Sequence, residues 1–191
     1  CYFLAIDFDD GDWQENVSEV RNICTSWNIP CAVERSRSGE GAHLWIFFTE
    51  PISCSAARKL GTALITAAME NSGKLKLDSY DRMFPNQDTL PKGGFGNLIA
   101  LPLQGQARKK NNSSFVDENF VAYTDQWAYL SQMQKLSAIE IENLVHIHSR
   151  GDGLGVLCTD SDETKPWEKR SKAVLTAMDF AQPIEIVRSN M

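Results

Sequence analysis

The order in which strand-like and helix-like patterns follow one another over residues 2–78 limits the possible folds most. Short apolar runs, typical of strands, alternate with longer stretches in which apolar residues recur every three or four positions, as on one face of a helix. The split βαβ order is that of ferredoxin-like and RRM-like units, with helices on one face of an antiparallel sheet. We therefore predict an α+β fold of this type, with further helical elements in the C-terminal third. The six segments, in the order strand, helix, strand, strand, helix, strand, are 2–9, 13–27, 31–34, 43–48, 53–69 and 74–78.

Polar residues mark where helices should begin. Asp12 is followed three positions later by Glu15, and Ser137 is followed by Glu140 at the same spacing. This is the reciprocal pattern of a capping box. Asp125 precedes a further helical stretch. We expect helices to follow all three sites.

Composition limits the class of protein. With 191 residues, 42% of them hydrophobic, the chain is long enough for one sizeable domain with its own core. We expect this domain to span 1–165, with 166–191 connecting it to a following domain of a longer protein. No apolar stretch approaches the length that crosses a bilayer, and no leader pattern precedes the first strand. We therefore expect a cytoplasmic protein without a membrane partner.

Neither the cysteines nor two of the three histidines have the spacing of a metal site. The five cysteines are odd in number, widely spread and free of any CxxC pair, so we expect reduced thiols. His146 and His148 are two positions apart on a predicted helix, where their side chains diverge. We interpret both histidines as core or surface residues.

Two carboxylates stand at the end of the first strand. Asp7 and Asp9 are two positions apart, and alternate residues of a strand share a face. Like charges this close repel unless a cation lies between them, and a hard divalent ion such as Mg²⁺ takes carboxylate oxygens. The alternative, a strand that ends in a solvated acidic turn, remains open on this stretch alone.

Strand pairing brings a histidine to the same place. In a ferredoxin-like sheet the first and third strands are central antiparallel neighbours, so the end of the first lies beside the start of the third. His43 should therefore lie close to Asp7 and Asp9, on the face opposite the helices. The apolar residues of these two strands should face the helices; they are Leu4, Ile6, Phe8, Leu44, Ile46 and Phe48.

The segment that leads to His43 has the composition of an anion-binding turn. Ser38–His43 reads Ser-Gly-Glu-Gly-Ala-His, and its glycines would let backbone N–H groups approach a phosphate. The imidazole can hydrogen-bond an anion. We interpret His43 as a phosphate or nucleotide contact, with a purely structural histidine as the alternative.

Three motifs, in order, resemble those of the archaeo-eukaryotic primase superfamily. They are Asp7–Asp9, Ser38–Trp45 and Tyr80–Asp88, and they are most similar to the primase-polymerase modules of TOTE conflict systems, in which such a module precedes a helicase-like region. The segment Gly93–Gln104 is similar to the one after their third motif. The resemblance extends from residue 2 to about residue 167.

The resemblance implies a template-dependent DNA or RNA primase-polymerase, a nucleotidyltransferase that adds nucleotides to a 3′-hydroxyl with two Mg²⁺ or Mn²⁺ ions. Asp7 and Asp9 would be catalytic carboxylates and metal ligands, and Asp81 would complete the set. Asp78 rivals Asp81, because strand alternation puts Asp78 on a wet face. Asp88 is a weaker candidate that a turn also explains.

The second motif implies a nucleotide site. Ser38 and His43 would hold the phosphates of the incoming nucleotide, with Arg37 as a helper. Glu40 departs from the related polymerase domains of bacterial repair ligases, which usually carry a lysine in a turn one residue longer, so no basic contact is transferred to it. The implied partners are a DNA template and primer, nucleoside triphosphates and a helicase-like region in the same polypeptide or operon.

Charge bears on the nucleic-acid interpretation. The net charge of −6 argues against it, because phosphate binding depends on basic side chains, although bound metal would neutralise several acids. Asn97 and the basic run Arg108, Lys109 and Lys110 could line the nucleotide or template path. A turn residue and a solvated loop explain them equally well.

Two other functions compete. An RRM-like module could bind single-stranded nucleic acid without catalysis, but it needs exposed aromatic residues such as Trp45 and Phe47 on the open sheet face. A metal-dependent nuclease or phosphohydrolase could use the same carboxylates.

Overall fold

Five strands and five helices make up the α+β fold, seen in a computed structural model that describes residues 1–9, 11–72, 79–89 and 98–148. The predicted fold class is confirmed. The strands are β1 Phe3–Asp9, β2 Ala32–Arg35, β3 Gly41–Phe47, β4 Tyr80–Phe84 and β5 Ser114–Val116. The helices are α1 Trp13–Ser26, α2 Cys54–Ser72, α3 Gly105–Arg108, α4 Gln126–Ser131 and α5 Ala138–His148.

The sheet is antiparallel, with strand order β4-β1-β3-β2-β5. The predicted central pairing of the first and third strands is confirmed, and Asp7 lies directly opposite His43 in it. The strand beside β1 on its other side is Tyr80–Phe84, a segment that sequence analysis treated only as a motif. The strand expected at 74–78 lies outside the described residues.

The main core lies between the sheet and the two long helices. Alternation along β1 and β3 sends one set of side chains to this face, where α1 and α2 present their apolar stripes. Burial of each large side chain contributes about 1.5–3 kcal/mol. The six strand residues predicted for this face are all buried there: Leu4, Ile6, Phe8, Leu44, Ile46 and Phe48.

The opposite face of the sheet is covered, where an open face was expected. A second apolar cluster centred on Trp45 and Phe115 forms there beneath the chain that runs from residue 98 to residue 133. Strand β5, which was not predicted, pairs with β2 at the edge of the described sheet and contributes Phe115 to this cluster. Gln126 fixes β5, because its side chain accepts from the Phe115 N–H and donates to the Phe115 carbonyl at 2.7 and 2.9 Å.

The helix starts are partly as expected. At α5, the Ser137 N–H donates to the Glu140 carboxylate at 2.7 Å and the Ser137 hydroxyl accepts from the Glu140 N–H at 3.4 Å, so the second capping box is confirmed. Asp125 caps α4 by accepting from two backbone N–H groups of the first turn. At α1 the position was right but the cap was wrong: Asp12 makes no side-chain cap bond. Its backbone, at φ −88° and ψ 44°, is not in the extended conformation that aims a capping side chain at the helix.

The cysteines and His148 show no sign of a metal site among the described residues. Cys1, Cys24, Cys31 and Cys54 are free thiols. The His148 ring stacks on Trp27 at the end of α5, with ring centroids 3.6 Å apart.

Within the described ranges, no helix is both long and apolar enough to cross a membrane. The predicted boundary between 165 and 166 lies outside the described residues.

Candidate active site

Three carboxylates meet at one end of the sheet. A carboxylate oxygen from each of Asp7, Asp9 and Asp81 lies within 4.8 Å of the others, and we call these residues the carboxylate cluster. Asp7 is half-buried, and the other two are exposed. Their mutual repulsion falls when a cation lies among them, and oxygen donors at this spacing suit a hard divalent ion.

A β-bulge brings Asp81 into the cluster. Asp7 pairs with Arg82 whereas the next residue of β1, Phe8, pairs with Tyr80, so Asp81 is the extra residue of the pair of strands. Under strict alternation Asp81 would share a face with Met83, which packs in the helix-side core. The bulge aims its carboxylate at the opposite face instead. Arg82 contacts that carboxylate at 2.6 Å.

The Asp7 carboxylate is incompletely satisfied. Its Oδ1 is buried and, among the described residues, accepts no hydrogen bond of good geometry. His43 Nε2 lies at an ion-pair distance of 3.2 Å from this oxygen. Since buried carboxylate oxygens are normally satisfied, this oxygen fits the ligand set of a divalent ion.

His43 lies against the cluster on the neighbouring strand. Its ring is buried between two carboxylates, with Nε2 facing Asp7 and Nδ1 2.8 Å from Glu34 Oε2. Burial on its own lowers the pKa of His43, but the contacts with both carboxylates outweigh burial and raise the pKa from 6.5 to about 9. The imidazole is therefore charged at neutral pH in the metal-free protein.

Glu34 is a site residue that sequence analysis missed. It lies directly opposite His43 in the β2–β3 pairing and is only 1% exposed. Its Oε2 also accepts from Trp45 Nε1 at 3.2 Å, and its Oε1 accepts from the Ser113 hydroxyl at 3.1 Å. The one indication in the sequence was that Glu34 is a charged residue in the otherwise apolar predicted strand 31–34.

The turn between β2 and β3 lies at the same end of the sheet. Asp9 pairs with Gly41, so the hairpin turn at 36–40 begins beside the cluster. Ser38 is exposed, and its hydroxyl contacts the Ser36 hydroxyl at 2.9 Å and accepts from the Glu40 N–H at 3.2 Å. Ser38 is thus held within the turn, and the exposed side chain of Arg37 lies next to it along the chain.

The basic run is tied to this turn. Arg108, Lys109 and Lys110 are all exposed at the end of the short helix α3. The chain just after them returns to the hairpin, where Asn112 donates to the Arg37 carbonyl at 3.3 Å. The predicted nucleic-acid contacts and the predicted phosphate turn are therefore on neighbouring segments.

The remaining candidates fall elsewhere. Asp88 forms an ion pair of 2.9 Å with Arg58 on α2 and is not in the cluster. Asn97 and Asp78 lie outside the described residues, so the choice between Asp78 and Asp81 as the third ligand stays a prediction. Glu40 is an exposed turn residue.

The aromatic residues of this face do not form an open stacking surface. Trp45 is 2% exposed and packs between Phe3 and Phe47, which are themselves half-buried. Binding of single strands by an RRM-like sheet needs bases to stack on exposed rings. The covering layer thus removes the feature on which that alternative depended.

Comparison with known families agrees with these motifs. Residues 1–144 match the archaeo-eukaryotic primase domain of the TOTE conflict system. The chain belongs to this family, which is one of primase-type nucleotidyltransferases whose partners are nucleic acids and nucleotides. A search of curated proteins found no match to the chain.

Proposed function

We propose that this chain is a template-dependent primase-polymerase that joins nucleotides to a nucleic-acid 3′-hydroxyl. The observation that carries the proposal is the carboxylate cluster, with a buried and charged histidine 3.2 Å from one of its oxygens. Acidic and cationic groups side by side suit a substrate that carries both metal ions and phosphates.

Asp7, Asp9 and Asp81 would hold two Mg²⁺ or Mn²⁺ ions. When bound, such ions activate the attacking hydroxyl and stabilise the charge of the leaving pyrophosphate. The buried Oδ1 of Asp7, which accepts no hydrogen bond of good geometry among the described residues, supports this assignment, because a ligand bond would satisfy it. Asp81 reaches the site only through the β4 bulge, which suits a ligand more than a solvated surface acid.

His43, Ser38 and Arg37 would bind the phosphates of the incoming nucleotide. His43 presents Nε2 on the cluster side of its ring, so a nucleotide whose phosphates lie at the cluster can accept a hydrogen bond from it. The Ser38 hydroxyl and Arg37 lie in the adjoining turn. Charge-assisted hydrogen bonds of this kind fix the nucleotide for in-line attack.

The basic run would contact the template or primer backbone. Three exposed cations beside the hairpin turn give a local positive surface on a chain of net charge −6. Asn97 remains a predicted nucleotide contact. We also keep the predictions of a catalytic domain over 1–165, a connector over 166–191, a helicase-like partner and a cytoplasmic location.

The experiment is nucleotide incorporation on primed and unprimed DNA templates with Mg²⁺ or Mn²⁺. The test protein is the Asp7→Asn, Asp9→Asn double variant, which keeps side-chain size but removes both charges. The matched control is Glu142→Gln, an exposed acid on α5, whose helix packs on α2.

We expect chain growth by the wild type and by Glu142→Gln, and its loss in the double variant. Binding of DNA without growth, unchanged by the double substitution, would contradict the proposal. Cleavage of the DNA without added nucleotides would replace it with a nuclease.

A further inference from the structure

We propose that Glu34 is the positioning residue for His43: it fixes the imidazole so that Nε2 faces the carboxylate cluster and the nucleotide phosphates. The inference rests on the proposed function for the role of His43, and on geometry for the role of Glu34.

The contacts of Glu34 place a proton on His43 Nδ1, the ring nitrogen that faces Glu34. An indole N–H can only donate, and Glu34 Oε2 accepts from Trp45 Nε1 at 3.2 Å. The same oxygen lies 2.8 Å from His43 Nδ1. An ionised carboxylate accepts only, so Nδ1 holds a proton and donates it. Nε2 is then the nitrogen left on the cluster side.

The carboxylate of Glu34 is itself held firmly. It lies on β2, which is paired on one side with β3 and on the other with β5, and it is 1% exposed. Its second oxygen accepts from the Ser113 hydroxyl at 3.1 Å. With donors from three side chains, His43, Trp45 and Ser113, the Glu34 carboxylate is held in one position behind the imidazole.

The contact between Glu34 and His43 matters most when a metal ion is bound to the carboxylate cluster. In the metal-free protein, Asp7 and Glu34 hold the ring from opposite sides. An ion that engages Asp7 competes with the first of these contacts. Glu34 then remains as the group that keeps Nε2 aimed at a substrate phosphate.

The kinetic test compares Glu34→Gln with Ser113→Ala. Glu34→Gln keeps the shape but removes the charge that holds Nδ1–H, whereas Ser113→Ala removes one donor from the same carboxylate and leaves the His43 contact. We expect the KM for nucleotide to rise about tenfold in Glu34→Gln with a smaller change in kcat, as for carboxylates behind functional histidines. In Ser113→Ala the KM for nucleotide should stay within about twofold of the wild-type value. Equal losses in the two variants would overturn the inference.

A double-mutant cycle tests whether Glu34 acts through His43. If it does, adding Glu34→Gln to His43→Gln should cost little beyond His43→Gln alone. If the losses of activity in the two single variants multiply in the double variant, Glu34 acts independently of His43, and the inference is overturned.

A spectroscopic readout separates this inference from the proposed function. In metal-free wild-type protein at neutral pH, side-chain ¹⁵N spectra should show a hydrogen-bonded proton on His43 Nδ1, assigned by its loss in His43→Gln. The signal should persist in Ser113→Ala. An imidazole protonated only at Nε2 would overturn the role of Glu34, whereas the Nδ1 proton in a protein without polymerase activity would leave the positioning intact and overturn only the proposed function.

Discussion

Gly41 lies directly opposite Asp9 in the β1–β3 pairing, so close that a Cβ at residue 41 would stand 2.7 Å from Asp9 Oδ1. The same Cβ would lie 2.3 Å from the Phe8 carbonyl oxygen. These contacts are shorter than atoms tolerate, so the end of β1 must move if a side chain is added. The absence of a side chain at residue 41 is therefore a condition for the present position of Asp9.

Substitution Gly41→Ala should weaken metal binding, because the clash displaces Asp9 from the carboxylate cluster. We expect at least a tenfold rise in the Kd for Mn²⁺, measured by paramagnetic titration, which corresponds to about 1.4 kcal/mol. The control is Gly105→Ala, where an added Cβ meets nothing within 4 Å. Unchanged Mn²⁺ affinity in Gly41→Ala would contradict the assignment of Asp9 as a ligand.

Divalent ions should stabilise the fold through Asp81. A ligand that binds only the folded state adds about 2.7 kcal/mol at a concentration 100 times its Kd, so Mg²⁺ or Mn²⁺ should raise the Tm of the wild type. Asp81→Asn should lose most of this increase. Asp88→Asn, which removes an acid that is paired with Arg58 and lies outside the carboxylate cluster, should keep it. An equal increase in both variants would exclude Asp81 from the site.

The metal-free protein should lose stability as the pH rises through the pKa of His43. Contacts with Asp7 and Glu34 raise this pKa from 6.5 to about 9, despite the opposing effect of burial. A raised folded-state pKa gives stability that is complete below about pH 6.5 and is lost as the pH passes 9. In urea unfolding with a chelator, the wild type should lose on the order of 1–3 kcal/mol more than His43→Gln between pH 6.5 and 9.5. If the free energy of unfolding changes with pH equally in the wild type and in His43→Gln, His43 is not coupled to Asp7 and Glu34 as described.

The basic run should contribute to DNA binding in a salt-dependent way. Removing two phosphate contacts in Lys109→Ala, Lys110→Ala should reduce the slope of log affinity against log salt by about 2. Binding to a single-stranded oligonucleotide can be followed by fluorescence anisotropy over a series of salt concentrations. The control, Lys59→Ala with Lys135→Ala, removes two exposed lysines from other parts of the chain, on α2 and before α5. A slope that falls equally in the control would mean that the effect is one of net charge.

The capping box of α5 should contribute to stability without affecting the site. The Ser137 N–H donates to the Glu140 carboxylate and the Ser137 hydroxyl accepts from the Glu140 N–H, and Ser137→Ala removes the second of these bonds. We expect a loss of about 1 kcal/mol in the free energy of unfolding, from chemical denaturation. Nucleotide incorporation at a temperature well below the Tm should be unchanged; a large loss there would link α5 to the site.

The positions of Asp7, Asp9 and His43 were predictable from the sequence, because strand periodicity determines them. Alternation and antiparallel pairing place Asp7, Asp9 and His43 together, and the structure has them so. Asp81 is different, because its orientation depends on the bulge, and alternation alone would turn its carboxylate toward Met83. Only the family resemblance selected it.

The covering layer and Glu34 were not predicted, for a common reason. Strand β5 is three residues long and is held by the side chain of Gln126, which leaves no periodic pattern to recognise. Without β5 and its preceding Ser113, the charge of Glu34 has no visible partner in the sequence. Both features depend on contacts between segments about 80 residues apart.

The position of β4 in the sheet gives the carboxylate cluster uneven local stability. Asp7 and Asp9 belong to a central strand, whereas Asp81 belongs to a strand at the edge of the described sheet, bonded to β1 alone. Edge strands open in local fluctuations that leave the core folded, so amide protons of β4 should exchange with solvent well before those of β1. The chain can thus release its third carboxylate without unfolding the other two, and an ion held by all three would slow exchange mainly along β4.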